Sequence, residues 1–434
     1  YFNTKLSFKL AEGSPDDIAG GIIAASAMFA GRLLRREFGG AAFLQHRYFD
    51  PQLYLAGLDP NRGGDAVFKL GTYPWFGVPG VPAYDTLRHK GQANYKEAVA
   101  PKVIAGWTRG VPSGARAVSD AARAAVKLQV ELGCEGIILP APALDALNRG
   151  VQDFITWTDA GIKACRELNV ASEVYATVAL CDTTLSNRPA LDHPVLKAAT
   201  DQIAARPELA GAYLVVETRD EDTYSFESQD TVRALMVVID DLTRGAGRRV
   251  ILNYAGTFGA IASAMGASVW GTGPYKSQRR LKASDLYRKN GAASFPRYFS
   301  LALAGDLGLG GDIETAVSAK LFRPLLTASA AAEPLHRALA RGLGPASVPT
   351  WEYRKGNVVK SLAHYNTVMQ RLSTTLDALP AARRIAWVDQ WLEDAARHAQ
   401  RLRRAGIEHS NATELAHQEM WLKLFREWRA RARV

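Results

Sequence analysis

The 434-residue chain holds only three cysteines, Cys134, Cys165 and Cys181, which lie far apart and form no Cys-x-x-Cys pair. That excludes a disulfide framework and an all-cysteine zinc site, and it implies a reducing, cytoplasmic compartment. Histidine is sparse too, eight in all. His46, His89 and His193 are scattered, with no His-x-His or Glu-x-x-His to bring two ligands together, so no metal is expected. Glu333/His336 and Glu414/His417 do show helical spacing, and they read as solvated helix faces. A strand followed by Gly-x-Gly-x-x-Gly is missing, and so is Gly-x-Ser-x-Gly, which removes a nicotinamide site and a serine nucleophile elbow. No bound cofactor is expected. Long apolar runs are lacking as well. The most apolar helical stretch, Ile18–Ala30, is too short and too rich in Gly and Ala to span a bilayer, which takes ~20 apolar residues.

What is present is a basic, globular composition. The charge balance is 53 basic against 43 acidic residues, a net +10, with 47% hydrophobic residues. Such a balance favours an anionic partner, either a small phosphorylated molecule or nucleic acid, and equally fits a basic surface that binds nothing.

The stretch Arg249–Arg280 organises the rest. An apolar run, Val250–Leu252, ends at Asn253-Tyr254, and Gly256 marks a turn. A small-residue helix over Phe258–Met265 follows, closed by Gly266, and a second apolar run, Ala267–Trp270, ends in Gly-Thr-Gly. Strand, turn, helix and strand make a βαβ unit, which requires a parallel sheet. Further strand starts fall at Ala41, Val103, Gly136, Glu173, Gly211 and Arg297, with helices between most of them. The expected fold is α/β, a (β/α)₈ TIM-type barrel over residues 1–312, with a doubly wound open sheet as the competitor. A helix from Ser14-Pro15 to about Phe38 precedes it. Residues 313–434 show no strand pattern and read as a helical appendage whose three helices could also dock a protein partner. The basic end Trp421–Val434 is either a solvated helix face or an arm on nucleic acid, with Trp421 and Trp428 stacking on bases.

In a barrel the site lies at the strand C-termini. Asp50 ends the first strand and Glu217 closes the fifth. Two facing carboxylates there suit acid/base or glycosidic-bond chemistry. Alternatively, Asp50 caps a turn before Pro51, and Glu217 pairs with Arg219 or Arg279. Asn253, Tyr254, Tyr275, Lys276 and Arg279 follow strands six and seven as substrate-binding candidates. Trp75 and Trp107 join them, and the Gly/Pro-rich loop carrying Tyr73, Trp75, Phe76 and Tyr84 reads as a lid or as a private aromatic core. Gly271-Thr-Gly273 and Gly308–Gly311, with Lys276, Arg279 and Arg280, would cradle an anion.

The order of Gly211–Glu217, a long helix, RVILNYAGTFGAIASAMGASVWGTG and Arg279-Arg280 resembles the late barrel of tRNA-guanine transglycosylases and their DNA-modifying relatives. YFDPQLYLAG is similar in place to that family's Asp-Ser-Gly-Gly-Phe-Gln segment, so the resemblance implies Asp50 as catalytic acid. It covers roughly residues 41–312 at the level of pattern. SVWGTG stands where the family's nucleophilic Asp belongs, and its zinc cysteines have no counterpart. Two functions follow as expectations: a barrel enzyme working on a nucleotide, nucleic acid or other anionic substrate by base exchange or N-glycosidic chemistry, or a catalytically degenerate barrel that binds nucleic acid or protein within an assembly.

Overall fold

The computed structural model describes residues 20–27, 34, 38–39, 46–61, 65–78, 101–107, 111–144, 150–181, 185, 193–218, 226–286, 295–407 and 413–434. Its centre is a curled parallel sheet of five strands: β3 (Gly136–Ile138), β4 (Glu173–Leu180), β5 (Gly211–Val216), β6 (Arg249–Leu252) and β7 (Val269–Trp270), in that order. A separate parallel pair, β1 (Gly21–Ala25) and β2 (His46–Asp50), runs beside β3. One backbone bond from Glu135 N to Arg47 O, 2.9 Å, joins them.

The eight-strand barrel is therefore corrected to one curled sheet with smaller ones beside it. Three segments account for the difference. Arg297–Ser300 (β8), expected as the eighth strand, turns back through Leu301–Ala304 and pairs antiparallel with Gly305–Gly308 (β9). A short turn suffices for an antiparallel partner, whereas a parallel one needs a long crossover. Val103–Trp107, expected as a strand, lies in a helical stretch over residues 101–107. Within the Ser14–Phe38 stretch expected as one helix, GIIAA forms β1 and pairs with HRYFD. A run of apolar residues that short has no period to separate helix from strand.

Both faces of the sheet are buried, as expected for parallel strands. Ile138, Tyr175, Tyr213, Val215 and Ile251 face inward and pack with Ile22, Ala24 and Tyr48. Val174, Ala176, Leu214, Val216, Val250 and Leu252 face outward against helices. These are α1 (Ala115–Leu132), α2 (Gly150–Glu167), α3 (Pro194–Ala204), α4 (Gln229–Asp240) and α5 (Phe258–Ala264). Each of the first four carries one apolar face, which is what fixes it to the sheet.

The C-terminal helices α6 (Val359–Asp377), α7 (Ala381–Arg404) and α8 (Gln418–Ala432) add their apolar stripes to the same outward core. Trp421 is fully buried against Phe258, and its indole donates to Phe226 O at 2.8 Å. Trp428 is 2% exposed and donates to Asp240 at 2.9 Å. Neither indole is available for base stacking. Arg426 and Arg429 meet Asp389, and Arg426 also meets Glu393. Among the described residues, no helix is long and apolar enough to cross a membrane.

Gly259 shows how tightly α5 sits on β7. A Cβ there would fall 2.2 Å from the Trp270 ring. Gly259→Ala is expected to cost about 1–3 kcal/mol through overpacking, read as a lowered urea midpoint. An unchanged midpoint would mean that the Trp270 ring moves aside freely.

Candidate functional site

β2 delivers Asp50 to its C-terminal end with no exposed surface at all. One carboxylate oxygen accepts hydrogen bonds from Tyr54 Oη at 2.7 Å and Tyr213 Oη at 2.6 Å. The other accepts from Gln52 N at 3.0 Å. Tyr213 comes from the middle of β5 and Tyr54 from the 3₁₀ turn directly after β2. Asn253, one residue past β6, donates from Nδ2 to Tyr213 Oη at 2.6 Å, and its Oδ1 accepts from Tyr254 N at 2.8 Å. Gln52 closes the circuit by donating to Tyr254 Oη at 2.9 Å while its Oε1 accepts from Ala27 N at 2.7 Å. Asn253 thus passes a hydrogen bond through Tyr213 to Asp50, and such chains polarise cooperatively in a low-dielectric interior.

Every donor to Asp50 is neutral. Burial pushes its carboxyl up to about 6, against the opposing pull of the bonds from Tyr213, Tyr54 and Gln52. Tyr213 is raised well above the ordinary tyrosine value, first by burial and then by the Asp50 charge, so it stays a donor. Gln52 and Tyr254 both hold left-handed backbone, φ 51° and 57°. For non-glycine residues this costs of order 1 kcal/mol each and gathers at functional sites. Gly271 serves this network too, because a Cβ there would meet Asn253 Oδ1 at 2.5 Å. The glycine expected to cradle a phosphate makes room for Asn253.

Glu217 lies apart from this circuit. It is half-buried at the end of β5, its N donates to Leu180 O at 2.9 Å, and it bridges to Leu281. No hydrogen bond connects it to Asp50. The aromatic loop is neither a lid nor a separate core: it packs into the inward core, with Tyr73 and Trp75 against Phe49 of β2. Tyr73 stacks on Trp75 with centroids 4.5 Å apart, and Phe76 stacks on Trp107 at 5.0 Å. All four are buried. Trp75 Nε1 donates to Pro51 O at 2.9 Å, which props the residue next to Asp50, and Trp107 Nε1 donates to Leu58 O. Tyr84 and Arg219 lie outside the described residues.

Tyr275, Lys276 and Arg279 belong to a second cluster. Arg279 bonds Asp306 at 2.7 Å and the carbonyls of Pro274 and Gly273, and its guanidinium lies 3.6 Å from the centroid of the Tyr365 ring. Arg280 reaches Asp285 at 3.4 Å. Arg279 and Arg280, expected to hold an external anion, are therefore matched by carboxylates of the chain itself. Glu414 accepts from Asp306 N at 3.2 Å, and burial together with the Asp306 charge lifts it to about 7. Burial also brings Lys276 down to about 6. Tyr275 N donates to Gln278 Oε1 at 3.2 Å, which closes the turn that presents Lys276. Among the described residues no group of His, Cys, Asp and Glu could hold a metal ion.

Comparison with protein-family models, curated proteins and solved structures finds no match to this chain. The chemistry must come from the site alone. Tyr54, Gln52 and Tyr213 were missed at the sequence level. Tyr54 is four residues past Asp50, but Tyr213 sits inside GAYLVV, where nothing distinguishes an inward tyrosine from a packing residue.

Proposed function

We propose that this chain is an enzyme using Asp50 as general acid and base, acting on the N-glycosidic bond of a nucleotide, nucleic acid or similar anionic substrate. The observation that carries this reading is the Asp50 carboxyl itself. It is fully buried, bonded only by neutral donors and poised near 6, within reach of both protonation states at neutral pH. A strongly perturbed acid at the C-terminal end of a parallel strand marks a functional site. In the reaction, protonated Asp50 gives its proton to the departing base nitrogen as the C–N bond breaks. The carboxylate then takes a proton from the water or incoming base that bonds to the sugar carbon. The net charge of +10 supports the anionic substrate, and the resemblance of YFDPQLYLAG supports the glycosidic bond.

The test is release of free base, by liquid chromatography and mass spectrometry, from separate pools of transfer RNA, duplex DNA and nucleoside monophosphates. Base release from at least one pool, falling as pH rises above about 6, is expected. No release from any of the three at any pH between 5 and 8 would withdraw the reading. The non-catalytic alternative, a binding subunit, draws on the complete burial of Asp50. It would show binding of one pool, unaltered by Asp50→Asn, with no base released.

A further inference from the structure

Away from Asp50, a cleft of about 460 Å³ opens between the end strands β1 and β7, with one face of α6 along its length. A volume of that size suits a small ligand. Gly21–Ile23 form one wall and Ser268–Thr272 the other. Asn366, Met369, Gln370, Ser373 and Asp377 come from α6, at the spacing of a single helix face.

Two side chains on that face have polar groups left over. Asn366 is half-buried, and its side chain makes no hydrogen bond among the described residues. Gln370, one turn on, has its Oε1 buried without a partner. A carboxamide presents a donor and an acceptor side by side, so it matches a flat ring whose edge offers the same pair in reverse. Met369 and the half-buried Trp270 supply soft, flat surface for the ring faces. Asp377 stands two turns beyond Gln370 at the exposed end, where a carboxylate can accept from neighbouring hydroxyls.

The electrostatics select against phosphate. Among the described residues the basic side chains lining the cleft are His46 and Arg249, bonded to Glu135 and Glu173 respectively. Glu135 and Asp377 both line it, and among the described residues no lysine does. We propose that this cleft is a binding site for an uncharged nucleoside, its base edge read by Asn366 and Gln370 and its sugar hydroxyls directed to Asp377. The site requires nothing of Asp50, and its success or failure is independent of the glycosidic reading.

Calorimetric titration of the full chain with adenosine, guanosine, cytidine and uridine, with their 5′-monophosphates and with free ribose, tests it. At least one nucleoside should bind with sub-millimolar affinity, and its monophosphate at least tenfold more weakly. Asn366→Ala and Gln370→Ala should each weaken binding about tenfold or more, with the thermal midpoint unchanged. In Asp50→Asn, binding should persist, which separates this site from the proposed catalytic one. The proposal is overturned if no nucleoside binds at 5 mM, if a monophosphate or ribose alone binds as tightly as the nucleoside, or if both amide variants bind as the parent does.

Discussion

Asp50→Asn is expected to abolish turnover and to remove a fall in stability that the parent protein shows as pH rises from about 4 to above 6. The two effects have one source. In the folded chain the Asp50 carboxyl sits near 6, against an ordinary 3.8. Folding therefore favours its protonated form. The stability this group contributes is fully present below about 3.8 and is lost as pH rises through about 6. The gap corresponds to roughly 3 kcal/mol. Asparagine cannot ionise, so the pH dependence disappears with the charge.

The substitution also carries a constant cost, because the amide has one acceptor oxygen where the carboxylate has two. If that oxygen faces Tyr54 and Tyr213, the amide NH₂ confronts the Gln52 N–H, and an unmet donor costs about 1–3 kcal/mol. The offset between the two proteins is thus uninformative, and the slope decides. Urea midpoints at half-unit pH intervals should fall for the parent and stay level for Asp50→Asn, apart from slopes common to both. Parallel curves would show that Asp50 titrates no differently folded than unfolded, and the acid/base assignment would go with that result. Turnover should drop by about 10²–10⁴-fold, the usual contribution of a positioned proton donor.

The sheet's central units were legible because β3, β4 and β5 are each followed by a periodic helix, and because glycine and asparagine bound the β6 and β7 runs. Glu173–Leu180 and the Arg249–Trp270 unit stand where the pattern of residues puts them. The failures share a cause. VIAGW and GIIAA are five-residue apolar runs with no internal period, and their partners alone decide their state. Arg297–Ser300 has good strand character, yet the choice between closing a barrel and pairing with its own neighbour depends on the GDLG that follows. Asp50 and Asn253 were visible as polar residues at strand ends. That Tyr213 joins them was not, because the contact spans 163 residues and rests on which face of β5 turns inward. The Arg279 partners were hidden in the same way: Asp306 lies just before Gly308–Gly311, which reads as an anion loop, and Glu414 within a spacing that reads as a solvated helix face.

That second cluster gives the other large expected effect. Asp306→Asn should cost about 3–5 kcal/mol near pH 6, because it leaves the Arg279 guanidinium buried and without its carboxylate. The Tyr365 ring and the carbonyls of Pro274 and Gly273 remain, and they offer only partial negative charge. Glu414 supplies a partial rescue. It stands near 7 in part because Asp306 carries a like charge beside it. Removing that charge lowers Glu414 and lets it ionise against Lys276, Arg279 and Arg297. A carboxyl held above its ordinary value loses stability as pH rises through its folded value, so the parent weakens up to about pH 7 while Asp306→Asn, with Glu414 lowered, stops weakening earlier, and the deficit should shrink between about pH 6 and pH 8. Adding Glu414→Gln removes this titration and should leave the stability of the double variant level with pH, apart from slopes common to all the proteins. By contrast, Arg279→Met with Asp306→Leu removes both charges together, and well-packed apolar replacements of a buried pair are often neutral or stabilising. Denaturation midpoints of the four proteins across that pH range decide the matter. A loss for Asp306→Asn under about 1 kcal/mol, or a deficit that grows with pH, would mean that Arg279 is held by the Tyr365 face and the backbone carbonyls rather than by Asp306.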